Sequence, residues 1–343
     1  MPQLDGLRTL AVFAVVYSHY VPGKYHFEFP FGSAGVQLFF VLSGFLITSI
    51  LLKSREKGLK ESLKSFYIRR FFRIFPLYYI VLVLCAITQI DSVNQDAEWH
   101  WFYLSNIKFF LDNAWPGIGS HFWSLSVEEQ FYLAWPLLIL IAPGKNLKKI
   151  IVAVIGISVF FWATKPLLFS DYRLYSVLPF FNLDSLGAGA LLALTRHTNR
   201  PLPNAQSTLI WAVIPTALIM AISAAANLIE LPHILLHTRR VAMIAFFVWL
   251  IAMASQGFTA PLAKWLLTNK IVLYLGKVSY GIYVWHSFIP VFKAKLFSSL
   301  NISSDWLNFG ISAVLFHTLL TVVVATLSWE LFERPINKLK NRF

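Results

Sequence analysis

Apolar residues fall in long unbroken runs along this chain, separated by shorter polar stretches. Ten runs approach the roughly 20 residues that a bilayer-spanning helix needs: 5–22, 34–53, 75–91, 122–142, 148–164, 178–195, 207–226, 240–256, 271–292 and 306–331. Each predicts a transmembrane helix. The third and fifth are short and are expected to be tilted or irregular. The expected fold class is therefore an all-α polytopic membrane protein with about ten transmembrane helices. The longest polar stretches are 54–74 and 92–121. In the first, "SFYIRRFFRIFP" reads as an amphipathic inner-surface segment, followed by a proline that opens the third span. The second carries Trp99, Trp101, Tyr103 and Trp115, which suits an aromatic belt at the outer face. No fixed-period repeat, inverted repeat or separate soluble domain stands out, so residues 1–343 read as one membrane-embedded domain.

Composition agrees with this pattern. Of the 343 residues 57% are hydrophobic and 13% charged, with mean hydropathy +0.63, whereas soluble domains carry about 25% charged residues. The net charge of +13 then takes a membrane meaning. With the N-terminus inside, 20 lysines and arginines fall in inner loops and 8 in outer loops, which puts both termini in the cytoplasm. A nucleic-acid partner would call for a folded basic surface with interleaved aromatics, and none is visible. The single cysteine, Cys85, lies in an apolar run and has no intramolecular partner. The N-terminus shows no basic segment followed by a small-residue cleavage site, so the first run is expected to stay as a helix.

Charged groups inside spans are costly and therefore informative. Here they are Arg8, His19, Glu128, Glu129, Asp184, His286 and Glu330, with Glu333 at an inner end. At a helical rise of 1.5 Å per residue, His19 in "YSHY" lies roughly 16 Å beyond Arg8, in the outer half of the bilayer. Ser124, Glu128 and Tyr132 share one helix face at i, i+4 spacing. "GKVSYGIYVWHSF" carries Ser279, Tyr280 and Tyr283 through the inner half and brings His286 toward the middle. His19, Glu128 and His286 thus fit one polar interior. His19 suits proton transfer near neutral pH; an interfacial histidine flanked by Tyr17 and Tyr20 is the other reading. Asp184 reads equally as a helix-end polar residue. Arg70 and Arg73 share a helix face at i, i+3, and two guanidinium forks suit phosphate oxygens. Anchoring to anionic lipid is the alternative there.

Six stretches in order resemble the acyltransferase-3 family of integral-membrane acyltransferases along essentially the whole chain: "LDGLRTLAVFAVVYSHY", "GVQLFFVLSGFLIT", "FYIRRFFRIFPLYY", "WSLSVEEQFYLAWP", "LGKVSYGIYVWH" and "FERPINKL". The resemblance places the family's Arg–His pattern on Arg8 and His19 and its Arg-x-x-Arg pattern on Arg70 and Arg73. Its Ser-Leu-x-x-Glu pattern falls on Ser124, Leu125 and Glu128, favouring Glu128 over Glu129. Gln37 stands where many relatives have Asp, so no shared catalytic role is carried to it. The hydrolase-like domain that some relatives append is not expected here.

The resemblance implies a membrane O-acyltransferase of the bacterial inner membrane. The co-substrate would be acyl-CoA, acetyl-CoA first, and the acceptor a hydroxyl of a surface glycan or lipid-linked glycan. No bound cofactor and no metal are implied. Donor phosphates would dock on Arg69, Arg70 and Arg73, with Arg8 on a phosphate or carbonyl. His19 would act as base or transient acyl carrier, oriented by Glu128. Ser279, Tyr280, Tyr283, Trp123, Ser124 and Asp184 are candidate oxyanion or acceptor contacts. The rival reading is a transporter or channel with a buried His/Glu relay. It gives the double-Arg segment no natural task, and the paired broken helices of such folds are not evident.

Overall fold

The computed structural model describes residues 1–22, 29–169, 174–200, 209–226, 233–302 and 310–340, and among these it is helical throughout, with no strand. The helices are α1 (Pro2–Tyr20), α2 (Phe31–Ser54), α3 (Leu59–Ile87), α4 (Asp91–Asn94), α5 (Ala97–Trp101), α6 (Ser105–Asp112), α7 (Phe122–Ile141), α8 (Leu147–Leu168), α9 (Leu183–His197), α10 (Ile214–Ala226), α11 (His233–Gln256), α12 (Pro261–Thr268), α13 (Lys270–Trp285), α14 (Ile289–Ser299), α15 (Gly310–Ser328) and α16 (Arg334–Leu339). Among the described residues five helices are long and apolar enough to cross a membrane. On α15, Ile311, Leu315, Leu319, Val323 and Leu327 form an exposed stripe at every fourth residue. Water would penalise such a stripe and lipid would not.

The structure revises the expected spans in three places. First, the basic segment and the third span are one helix, α3, which runs through Pro76. Lys, Glu, Arg and Leu favour helix over residues 59–73, and a span tolerates an interior proline where neighbouring helices support it. The arginines therefore sit on the span itself, not on a separate surface element. Second, the ninth run is broken, with α13 ending at Trp285 and α14 starting at Ile289. Pro290 has no N–H to give the carbonyl four residues back, at His286. Tyr20 Oη donates to that carbonyl instead, at 2.6 Å. Third, the sixth run holds a 3₁₀ turn, Pro179–Phe181, before α9. Of the two runs expected to be tilted or irregular, the fifth lies in one continuous helix, α8, and the third follows α3 to Ile87 and ends in a turn before Asp91. Residues 207–208 of the seventh run and 306–309 of the tenth lie outside the described residues. The outer stretch 92–121 folds into α4, α5 and α6.

α1, α2 and α9 form the packed centre. Gly44 on α2 and Gly189 on α9 set their spacing. A Cβ on Gly44 would come within 1.9 Å of Leu186 O, and one on Gly189 within 2.0 Å of Val41 O. α7 and α13 complete the wall around the polar interior.

Candidate functional site

A cavity of about 790 Å³ opens between α1, α2, α3, α7 and α13. Its polar lining is Arg8, Ser43, Arg70, Arg73, Ser124, Glu128, Glu129, Tyr132, Ser279, Tyr280 and Tyr283, set among Val36, Phe39, Phe40, Ile74 and Leu125. The i, i+4 face expected on α7 is present, since Ser124, Glu128 and Tyr132 all line it. A second cavity of about 1030 Å³ shares Arg8, Arg70 and Arg73 with the first and adds Arg69, Lys277 and Lys340, with Asp5 as its one acidic lining residue. The two therefore adjoin at three arginines, one cavity cationic and the other lined by hydroxyls and carboxylates.

The cations of the mouth are only partly paired. Arg8 Nη1 meets Asp5 Oδ1 one helical turn away at 2.6 Å. Arg73 donates to Lys277 O at 3.0 Å, lies 4.0 Å from Glu333 Oε2, and stacks over Trp329 at 4.8 Å. Trp329 opens a π-helical turn, Trp329–Glu333, which presents its ring to Lys277 as well, at 5.2 Å. Arg70 lies 4.9 Å over the Tyr132 ring, and no carboxylate is within ion-pair distance of it among the described residues. Such under-used forks are available to an anionic ligand.

Inside, Ser43 Oγ donates to Glu128 Oε1 at 2.6 Å, and Tyr132 Oη donates to Ser43 at 3.1 Å. Ser279 Oγ donates to Gly276 O and Tyr280 Oη to Ile74 O, so both hydroxyl hydrogens are engaged on backbone carbonyls. At the far end Ser124 Oγ and Tyr283 Oη lie 2.6 Å apart.

Behind this pair stand three histidines. The His286 ring is 4.8 Å from the His19 ring and 4.7 Å from the His121 ring, both edge to face. His286 and His121 are buried, while His19 is exposed at the end of α1 opposite Arg8. The expected meeting of His19 and His286 is present. Glu128 lies apart from it: its hydrogen-bond partner is Ser43, none of the three histidines lines the cavity, and no hydrogen bond joins Glu128 to His19. Trp123 packs edge to face on Phe40 outside the cavity lining. Asp184 is held elsewhere by Arg240, Nε to Oδ2 at 2.8 Å and Nη2 to Oδ1 at 2.7 Å. Among the described residues no three His, Cys, Asp or Glu side chains form a group able to hold a metal ion, the histidine trio included.

Sequence reasoning missed His121, Ser43, Lys277 and Lys340. His121 lies one residue ahead of the expected fourth span, so a search for charges inside spans passed it by. The signal was a histidine abutting "FWSLSVEEQFYL".

Residues 1–330 match the family described as "Acyltransferase domain". The chain belongs to this acyltransferase family. It is 30% identical over 364 residues to "Peptidoglycan O-acetyltransferase OatA" of Listeria monocytogenes, covering 98% of this chain and 56% of that protein. It is 28% identical to "Putative peptidoglycan O-acetyltransferase YrhL" of Bacillus subtilis (98% and 55%), and 27% identical to a "Putative O-acetyltransferase" of Staphylococcus aureus (98% and 57%). The chain thus spans about half the length of the curated relatives it matches. No solved structure matches it.

Proposed function

We propose that this chain is a membrane O-acyltransferase that moves an acyl group, acetyl first, from acyl-CoA to a hydroxyl of a surface glycan or lipid-linked glycan. The observation that carries the reading is the adjacency of the two cavities at Arg8, Arg70 and Arg73, which sets a mouth that also holds Arg69, Lys277 and Lys340 beside a polar interior. The diphosphate and 3′-phosphate of CoA suit the mouth, and the uncharged pantetheine arm suits the passage beyond it. The relatives named peptidoglycan O-acetyltransferase support a glycan hydroxyl as acceptor.

In this reading the thioester lies toward Ser124 and Tyr283, and loading the donor parts that pair. His19 meets the acceptor at the exposed end, takes the proton of its hydroxyl, and the oxygen attacks the thioester carbonyl. The tetrahedral intermediate then expels CoA thiolate, which takes up one proton. Glu128 contributes from the cavity wall, where its charge and Ser43 bond hold the interior polar. The 20-to-8 split of Lys and Arg supports a cytoplasmic mouth, as a cytoplasmic donor requires. The bacterial inner membrane is the proposed location.

The test uses purified protein with labelled acetyl-CoA and a glycan acceptor, esters being read by mass spectrometry and CoA binding by calorimetry at low and high salt. Ester formation, with CoA affinity falling steeply as salt rises, is expected. CoA binding that is absent or indifferent to Arg70→Ala would overturn the donor assignment. Solute flux without ester would favour the transporter reading.

A further inference from the structure

No hydrogen bond joins the proposed base to Glu128, the partner that the sequence assigned it and whose Oε1 accepts from Ser43. The hydrogen-bond chemistry around the histidine trio supplies another. His286 Nδ1 lies 2.6 Å from Tyr283 O. A carbonyl only accepts, so Nδ1 carries the hydrogen and Nε2 of the neutral ring keeps a bare lone pair. That Nε2 is buried and has no partner, and leaving a buried acceptor unsatisfied is costly.

His121 is placed the opposite way. Its Nε2 lies 3.3 Å from Val284 O, so Nε2 bears the hydrogen and its Nδ1 is the unpartnered acceptor. It has no N–H left to give. Tyr20 Oη is engaged with the His286 carbonyl and Thr321 Oγ1, and Tyr283 Oη with Ser124 and His121 O. Among the described side chains in ring contact with His286 (His19, Tyr20, His121 and Tyr283), His19 is the one whose N–H is not already engaged. The ring is brought there by the backbone, because Tyr20, the neighbour of His19 in sequence, pins the carbonyl that Pro290 leaves open.

We propose that His286 is the positioning residue of His19: its buried Nε2 accepts the N–H of His19 and holds that imidazole in the tautomer whose other nitrogen faces the exposed side as base. Bonds of this kind often close fully only in the reacting complex, and the two rings already stand 4.8 Å apart, centroid to centroid. His286 touches neither donor nor acceptor. The inference rests on the reading of His19 as base.

The experiment compares wild type, His19→Ala, His286→Gln and His286→Leu for kcat, donor KM, thermal stability, and modification of His19 by diethyl pyrocarbonate read by mass spectrometry. Glutamine places an acceptor oxygen near the Nε2 position and leucine places none. The expected result is a loss of kcat of about 10²-fold in His286→Leu, the size typical of losing a group that orients a functional histidine. Donor KM should be unchanged, and His286→Gln should recover at least about a tenth of wild-type turnover. His19 should also react more slowly with the reagent in His286→Leu, a readout that needs no transferase activity. Wild-type kcat and His19 reactivity in His286→Leu, alongside an inactive His19→Ala, would overturn the inference and leave the base standing. Equal loss in Gln and Leu at unchanged stability would also overturn it. An active His19→Ala would instead remove the base itself. If leucine unfolds the protein, reactivity and kcat in His286→Gln against His286→Asn decide the question, because asparagine is too short to reach.

Discussion

Two of the places where this protein sets carboxylates beside arginine are built in opposite ways. Around Asp184, Arg240 donates to both carboxylate oxygens, to Phe181 O, to Asn182 Oδ1 and to Ser185 Oγ, and lies 5.2 Å over the Trp162 ring. Both carboxylate oxygens are met by Arg240 Nε and Nη2, and the pair ties α11 to α9. At the cavity, Glu128 and Glu129 share a wall with Arg70, yet Arg70 rests on a tyrosine ring and Glu128 receives a serine hydroxyl. Charge left partly unanswered is what a ligand can complete; charge fully answered is scaffold. The contrast separates residues that look alike in sequence.

The largest effect should come from breaking the answered pair. Arg240→Met leaves a buried carboxylate without its cation and is expected to cost about 3–5 kcal/mol, seen as a large drop in thermal midpoint with activity lost through unfolding. The double variant Asp184→Leu, Arg240→Met should recover most of that stability. A double variant as unstable as the single one would mean that the pair is more than scaffold.

A buried group can also do without a partner by staying neutral. His100, on α5 in the stretch between the third and fourth spans, is buried with both ring nitrogens unpartnered and packs on Phe109 and Phe122. Burial pushes its pKa from the ordinary 6.5 to about 4. Between those values the unfolded chain binds more protons than the folded one, so stability falls as pH drops through that window. The full contribution is roughly 3 kcal/mol. Thermal melts at pH 7 and pH 5 should show the loss, and His100→Phe should flatten it.

The unanswered arginines should behave in reverse. Arg70→Ala and Arg73→Ala are each expected to raise donor KM about 10- to 100-fold, the worth of a charged hydrogen bond, with little change in thermal midpoint for Arg70→Ala and a moderate drop for Arg73→Ala, which also loses its contacts to Lys277 O, Glu333 and Trp329. A collapse in stability with KM intact would return them to scaffold. Smallest of all, Arg73→Lys keeps the charge and loses the fork, so its KM should lie between wild type and alanine.

The sequence made α1, α2, α7 and α8 legible because long apolar runs with polar flanks leave little freedom in a membrane. It also placed Ser124, Glu128 and Tyr132 on one face of α7, because helical spacing fixes faces, whereas their meeting with Arg70 and Arg73 in one cavity emerges only in the fold. It misjudged both prolines that matter. Pro76 looked like a boundary and is interior, while Pro290 looked interior and marks a break. A proline's meaning depends on whether another group takes the carbonyl it abandons, and that group, Tyr20, lies 266 residues away in sequence. Asp184 and Glu128 were indistinguishable for the same reason. Which carboxylate is saturated depends on Arg240 and Ser43, and both partners arrive by tertiary packing. The role of Glu128 beside His19 was inferred from motif position, which carries no information about distance.

The glycine contacts constrain how anything moves through this molecule. Gly44 and Gly189 lock α2 to α9, and Gly276 of α13 lies so close to α1 that a Cβ there would come within 1.9 Å of Asp5 O. Helices in backbone contact have no side-chain cushion to shear across, so α13, α1, α2 and α9 travel as one stiff plate. Rocking of two halves about a central site would have to tear that plate. In the proposed reaction, access from the basic mouth toward the histidines is therefore expected to depend on torsions of individual rings and hydroxyls, small latches in a fixed wall.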